Sequence, residues 1–411
     1  MLGELLPRPE LRFDYSSTYA RDKLPKRGLY RFGPYDSELL RKDEVKCVAF
    51  YPNGRGDVKE ILIRGLTEGE GKFNGFESMF KISLEFTDEI AYSEENVSIL
   101  LQQVATKDLD FVYFILERNK PELYRKSKLT LLMSSIPSQM ISVNTLKNKQ
   151  GLQYILENIA LATYAKIGGT PWTISTKENT NYLIMGVSRA KDGKGWLVGF
   201  VTTFTHDGDF LFINSKAPVI RWEEYVSGLS KLIKESIKEY EIEKGCPDKI
   251  ILHLSKRPGK GELEAIQDAL DSAGMDSPYA IIHINEYSNY RVFDSTHQSY
   301  VPPKGLMVRL SSREALLVNR GRTNGWSKVG VPRVLNIRMD SRSTLGFGEF
   351  FQLVKQIYDL SYINWRGFNA ETIPATLNYS RLITRVIAEL GAERWNDIVI
   401  RGKLRDKSWY L

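Results

Sequence analysis

A chain of 411 residues is longer than one hydrophobic core usually serves, so two domains are expected. With 42% apolar and 26% charged residues it has the make-up of a globular protein, and it contains no run of about 18 apolar residues that could span a bilayer. The formal charge of +7 points toward a polyanionic partner, and Cys47 and Cys246, far apart in sequence, suit a reducing cytoplasm and exclude a disulfide framework. The opening MLGELLPRPELRFDY has no basic segment followed by an apolar stretch, so no secretory signal is expected.

Residues 1–37, rich in Pro, Arg and Tyr, are expected to form an irregular arm with one short strand. From about 45 the pattern alternates strand and helix. VKCVAFYPN is a strand, a helix is expected near 70–82, ISLEF is a strand, a second helix lies near 94–107, and DLDFVYFILE is a buried strand. Such alternation implies a parallel sheet built from βαβ units. PELYRKSKLTLLMSS reads as a helix. After SIPSQMIS, LQYILENIALATYAKIGG reads as another, closed by Gly168 and Gly169. A domain boundary is expected near 166–170. Beyond it, NYLIMGVS, GWLVGFVTTFT and DFLFINSKAPVI are β-rich runs separated by the turn signals KDGKG and HDGD. A helix at 222–245, the strand DKIILHLS, a helix at 260–273 and the strand YAIIHINEY follow. Three meander strands, helix, strand, helix, strand is the order of a ribonuclease-H-like sheet. GEFFQLVKQIYDLSYI and YSRLITRVIAEL read as late helices.

Two groups of residues carry chemistry. Tyr124 and Lys128, four apart on a helix, leave one face a turn apart. With Gln139 and Lys166 they make a set suited to a terminal phosphate: ammonium charge, plus a phenol and an amide as oriented donors. Each also has a structural explanation, as a surface pair, a turn cap or a helix-dipole partner. Second, Lys304, Arg309, Arg313, Arg320, Arg322, Lys328, Arg333, Arg338 and Arg342 cluster around Trp326, against only Glu314 and Asp340. That segment either tracks a phosphate backbone or forms a solvated basic face. His206, His253, His283 and His297 are scattered without metal-ligand spacing, and His253 and His283 lie in apolar strand runs that suit packed core histidines. Gly259-Lys260-Gly261 is a weak phosphate lure before a helix.

Tyr124-x-x-x-Lys128, Ile136-Pro137-Ser138-Gln139 and Lys166-Ile167-Gly168-Gly169-Thr170-Pro171-Trp172 resemble the MID signature of Argonaute proteins. The resemblance covers about 110–411, and Gly28-Leu29-Tyr30 and Gly33-Pro34-Tyr35 resemble the arm that precedes MID. It is nearest to truncated archaeal and bacterial members without N and PAZ domains. It implies an α/β chain with residues 1–37 as an arm packing on PIWI, 38–167 as a Rossmann-like MID domain and 168–411 as a ribonuclease-H-like PIWI domain. It further implies that Tyr124, Lys128, Gln139 and Lys166 hold a guide strand's 5′-phosphate, while Asn158 and Arg366, the latter in Asn364-Trp365-Arg366-Gly367, contact the guide backbone. The carboxylate of Leu411, ending Ser-Trp-Tyr-Leu, would help hold a structural Mg²⁺ or Mn²⁺ between guide phosphates. Ala162 stands where relatives carry a Gln toward that ion.

The resemblance also marks what is missing. Cleavage by this fold needs carboxylates that gather two metal ions. Gly186, in Gly186-Val187-Ser188-Arg189, occupies the first aspartate position. Ser255 occupies the second, and Arg381 follows Tyr379-Ser380 where the last ligand belongs. The expected function is therefore guide-directed recognition of a complementary strand without cutting, with an RNA guide and a DNA target favoured. A co-encoded effector would supply the output in prokaryotic defence, within the cytoplasm and without membrane insertion. The alternatives are an active nuclease that uses other carboxylates, such as Asp192 or Asp207, and a small-molecule sensor built on the Rossmann-like sheet.

Overall fold

The computed structural model describes residues 3–411 apart from 38–39, 41, 118–119, 177–179, 192, 196, 274–275, 324–329, 396–397 and 399–403. Asp192, Trp326 and Lys328 lie outside the described residues. The chain divides into two compact units. One holds residues 11–173, 365–368 and 389–411; the other holds 1–10, 174–364 and 369–388.

The first unit is built on four parallel strands in the order Ser83–Tyr92, Glu44–Pro52, Phe111–Leu116, Ser138–Ser142. Phe111–Leu116 is buried along its whole length because neighbouring strands flank it and helices cover both its faces, which is why it reads as an unbroken apolar run. Phe50 stacks on Phe114 at 5.1 Å, and Val97, Leu101 and Leu131 from the covering helices close the core. Helices span Gly56–Thr67, Gly75–Phe80, Val97–Ala105, Pro121–Met133 and Leu152–Lys166. The single helix expected near 70–82 is instead two. Gly69, Gly71 and Gly75 have φ of 101°, 61° and 85°, left-handed values that break a helix between 67 and 75. SQMIS, for which no element was expected, is the edge strand that brings Gln139 beside Tyr113.

Segment 1–37 does not act as one arm. Gly3–Leu5 pairs with Leu306–Ser311 in the second unit, whereas from Leu11 onward the segment belongs to the first. There Phe13 stacks on Phe32 and tilts against Trp172, and the helix Pro25–Phe32 puts Lys26 on the buried Glu157. An apolar anchor at Phe13 thus ties this stretch to the MID-like core.

In the second unit nine strands among the described residues form one sheet. Tyr182–Lys191 lies between antiparallel Leu197–Phe204 and parallel Lys249–Leu254, and Tyr279–Asn285 continues parallel to the latter. The helices Trp222–Lys244 and Lys260–Asp271 cover one face, packing Leu232, Ile233 and Ile266 against Leu252, Leu254 and Ile281. His253 and Gly186, cross-strand partners, point to the other face, where Thr376 of the helix Ala375–Leu390 meets them. The basic stretch after Lys304 builds the strands Leu306–Ser311, Glu314–Leu317 and Leu335–Met339, which extend this sheet. Several of its cations are paired: Arg309 with Glu4 at 2.9 Å, Arg338 with Glu314 at 2.8 Å, and Arg322 with Asp294.

Candidate functional site

The side chains of Lys128 and Lys166 come from two helices and converge on one backbone oxygen. Lys128 Nζ donates to Ser138 O at 2.9 Å and to Ser138 Oγ at 3.2 Å. Lys166 Nζ donates to the same carbonyl at 3.2 Å and to Gln139 Oε1 at 2.6 Å. Gln139 in turn donates Nε2 to Met140 O at 3.3 Å. Tyr124, a turn before Lys128, is half-buried near Glu389, whose charge acts on its hydroxyl. Three elements distant in sequence therefore bring Tyr124, Lys128, Gln139 and Lys166 to one place.

The surroundings hold the helix carrying Lys166 in register. Tyr164 stacks on Phe80 at 4.6 Å and donates its hydroxyl to Asp36 Oδ1 at 2.7 Å. Tyr113 donates to Thr163 Oγ1 at 3.0 Å. The helix ends at Lys166 because Gly168 turns left-handed, with φ of 106°, and Gly169 packs its bare Cα against the Tyr164 ring, where a Cβ would sit 2.6 Å from Cδ1. The stem of Lys407 lies over Gly168, so the segment leading to Leu411 runs beside the end of this helix.

Electrostatics single this place out. Lys128 is 5% and Lys166 2% exposed. Burial pushes the Lys128 ammonium down to about 8, with Glu389 opposing the shift. Lys166 is pushed well below the ordinary lysine range by burial, then by the charges of Lys128 and Arg366. Burying like charges together is unfavourable unless an anion completes the set. The anion this geometry suits is one with several acceptor oxygens, such as a phosphoryl group.

Arg366 is exposed and adds its charge at Lys166. Asn158 is exposed two turns earlier on the same helix, with its Oδ1 next to Gly367. Leu411 is half-buried beyond the fully buried Trp409, and its N–H donates to Ser408 O at 3.1 Å. Ala162 is buried and offers no donor atom to an ion. Among the described residues no cluster of three or more His, Cys, Asp and Glu is assembled that would hold a metal by itself. Sequence reasoning missed Ser138 as the shared acceptor, although it adjoins Gln139 in the IPSQ motif. It also missed Glu389, which no local pattern announces.

In the second unit Gly186 lies where a side chain has no room. A Cβ there would come 2.6 Å from Thr202 Oγ1 and closer still to Thr376 O. Hydroxyls fill the surrounding space: Thr202 Oγ1 donates to Thr376 O at 3.2 Å, and Ser380 Oγ donates to the same oxygen at 2.8 Å. His253, completely buried, contacts Thr376 Oγ1 through Nδ1 at 2.9 Å, and burial drives its pKa down to about 3, so the ring is neutral. Ser255 is exposed just past the strand end. Arg381 donates to Asn378 Oδ1 at 2.9 Å and to Glu286 Oε2 at 3.3 Å. Asp207 follows Phe204, which pairs with Ile184, whereas Ser255 follows Leu254, which pairs with Val187. Asp207 and Ser255 thus lie toward opposite ends of the central strand. His253 is the core residue expected, but His283 is only partly buried.

A four-stranded parallel sheet carrying two buried, converging lysines, joined in one chain to a ribonuclease-H-like sheet, defines an α/β protein of the MID–PIWI class. Residues 111–391 match the Piwi domain family, and the chain belongs to the Argonaute/Piwi family. It is 25% identical to a Piwi protein of Archaeoglobus fulgidus over 94% of this chain and 93% of that one. It is 24% identical to an Argonaute of Cereibacter sphaeroides over 99% of this chain and 59% of the relative. The fold is that of Clostridium butyricum Argonaute, solved with a guide DNA and a 19-mer target DNA (TM-score 0.76, 20% identity, 95% of this chain and 53% of that one). It is also that of Drosophila Piwi (TM-score 0.75, 16% identity, 100% and 56%). The chain spans about half the length of these solved relatives.

Proposed function

We propose that the protein captures the 5′-phosphorylated end of a guide strand and uses that guide to recognise a complementary strand without cutting it. The observation that carries this reading is the crowding of two buried ammonium groups on Ser138 O, with a third cation, Arg366, acting on one of them. A terminal phosphate relieves the repulsion and gives each cation a charged acceptor. Tyr124 and Gln139 would orient it, Asn158 and Arg366 would hold the next backbone phosphates, and base pairing would supply sequence choice. In this reading residues 38–167 form the MID domain and 168–411 the PIWI domain, with 168–173, 365–368 and 389–411 falling in the compact unit that holds MID. The family is supported by the match over 111–391, and guide and target use by the nucleic acids named for the Clostridium butyricum structure.

A divalent ion, Mg²⁺ or Mn²⁺, would serve here by bridging guide phosphates. Since Ala162 offers no donor, phosphate oxygens and water would be its main ligands, with a carboxylate at Leu411 adding one from the protein. The absence of cutting rests on Gly186, Ser255 and Arg381, where carboxylates would otherwise gather metal ions, and on the lack of space at Gly186. A partner effector would then turn recognition into an output. An RNA guide paired with a DNA target is the favoured combination.

The test compares 5′-phosphate with 5′-hydroxyl oligonucleotides on the wild type and on Lys128→Ala/Lys166→Ala. Tighter binding of the phosphorylated strand, lost in the variant, is expected; affinity indifferent to both would refute the pocket. Incubating the loaded protein with matched target and Mg²⁺ or Mn²⁺ should leave the target whole. A discrete cut opposite the guide would refute the recognition-only reading.

A further inference from the structure

A second polar groove lies in the ribonuclease-H-like unit, on the sheet face opposite Gly186 and Thr376. Alternation along Tyr279–Asn285 puts Ile281, His283 and Asn285 on the face covered by the helices Trp222–Lys244 and Lys260–Asp271. The cover reaches Ile281 but leaves His283 and Asn285 open, beside their cross-strand partners Arg338 and Asn336. The result is a cavity of about 840 Å³, in the size range of small-molecule sites.

Its chemistry is specific. Asn285 Oδ1 accepts from Tyr287 N at 3.0 Å, which leaves the amide's NH₂ as an available donor. Asn336, itself buried in the lining, donates Nδ2 to Glu314 Oε1 at 2.7 Å, which leaves its carbonyl oxygen as an available acceptor. Because the two residues are paired across adjacent strands, a donor and an acceptor stand side by side, the complement a nucleobase edge requires. Tyr290 lines the rim and is 46% exposed, so its ring offers a stacking surface. Arg342 Nη1 is buried in the lining with no hydrogen-bond partner, and Arg257 is an exposed cation whose charge is felt at His283. Arg338 also acts on His283, but it is paired with Glu314 at 2.8 Å.

We propose that this groove binds a nucleoside phosphate, with Asn285 and Asn336 reading the base edge, Tyr290 stacking on the base, and Arg257 and Arg342 taking the phosphate. A free nucleotide and one nucleotide of a single strand share this chemistry. The site is independent of the Lys128–Lys166 pocket and does not depend on that pocket's function.

The experiment uses the full chain with two probes: ATP, followed by calorimetry, and a short 5′-hydroxyl single-stranded DNA dye-labelled at its 3′ end, followed by anisotropy. At least one probe should bind, about tenfold more weakly to Arg257→Ala/Arg342→Ala and severalfold more weakly to Tyr290→Ala, whose exposed ring can be removed without disturbing the core. Lys128→Ala/Lys166→Ala should bind as the wild type does. Binding of ATP alone identifies a free nucleotide as ligand, and binding of DNA alone identifies a strand; either supports the site. No binding of either probe overturns the proposal. So does binding that survives the arginine and tyrosine substitutions, or that is lost instead in the lysine variant.

Discussion

Lys128 and Lys166 donate to a single acceptor, Ser138 O, at 2.9 and 3.2 Å, although 38 positions (166 − 128) separate them in sequence. Among the described residues neither donates to a carboxylate, so each remains disposed toward an incoming anion. Replacing Lys166 with Met should remove a buried charge and raise the melting temperature of the unloaded protein, by about 2–4 °C for each kcal/mol gained. The same change should weaken 5′-phosphate binding about tenfold or more. Calorimetric melting and oligonucleotide titration check both directions. Loss of stability together with binding would make Lys166 a structural residue.

Proton linkage gives a second expectation. The folded Lys128 has a pKa near 8, below its ordinary value of 10.5. Between those values the unfolded chain binds more protons, so the unloaded protein should become more stable as pH rises through that window. Guide binding runs the other way, since a phosphate favours the ammonium form. Affinity for the 5′-phosphate should fall above about pH 8, and also below about 6, where the phosphate takes up its own proton. A 5′-hydroxyl strand should show neither limb, and Lys128→Ala should flatten the upper one.

Glu389 faces Tyr124 and Lys128 and competes with an incoming phosphate for both. Glu389→Gln should therefore tighten 5′-phosphate binding by about twofold to fivefold. Because Glu389 is exposed, the gain should shrink at high salt. An unchanged affinity at low salt would remove Glu389 from the pocket's electrostatics.

Gly186 tests the other unit. Gly186→Asp forces a side chain between Thr202 Oγ1 and Thr376 O and buries a carboxylate among hydroxyls. The urea midpoint should fall, with overpacking alone costing about 1–3 kcal/mol. No cleavage should appear with Mn²⁺. A stable, cleaving variant would mean that the space and the remaining ligands are present after all.

Tyr164→Phe removes the donor to the buried Asp36, whose pKa burial has already raised to about 6. The lost hydrogen bond favoured the ionised carboxylate, so the destabilisation should be larger at pH 8 than at pH 5. It should be about 1–3 kcal/mol at the higher pH. Denaturant titrations at the two pH values measure it.

What the sequence disclosed followed from local periodicity. Tyr124 and Lys128 share a helix face, and Phe111–Leu116 is a buried strand, because both facts are written in neighbouring residues. The helix Gly56–Thr67 escaped because the apolar spacing of ILIRGL runs into a glycine-rich turn, and the expected helix slid past it. The strands after Leu306 escaped because cations such as Arg309 and Arg338 break their apolar pattern while pairing with Glu4 and Glu314. At the pocket the side chains were legible, but their meeting point was not. Ser138 contributes a backbone oxygen, which no residue type advertises, and Glu389 arrives from the far end of a helix that begins at Ala375.

The left-handed turn at Gly168, just past Lys166, fixes where the helix stops and so where its charge is stranded. A fold that confines cations this way is at its weakest when vacant and gains stability once an anion binds, by an amount that grows with the logarithm of ligand concentration over dissociation constant. Vacant molecules would open more often and reach proteases sooner, so turnover itself would enrich the population for copies that carry their cargo.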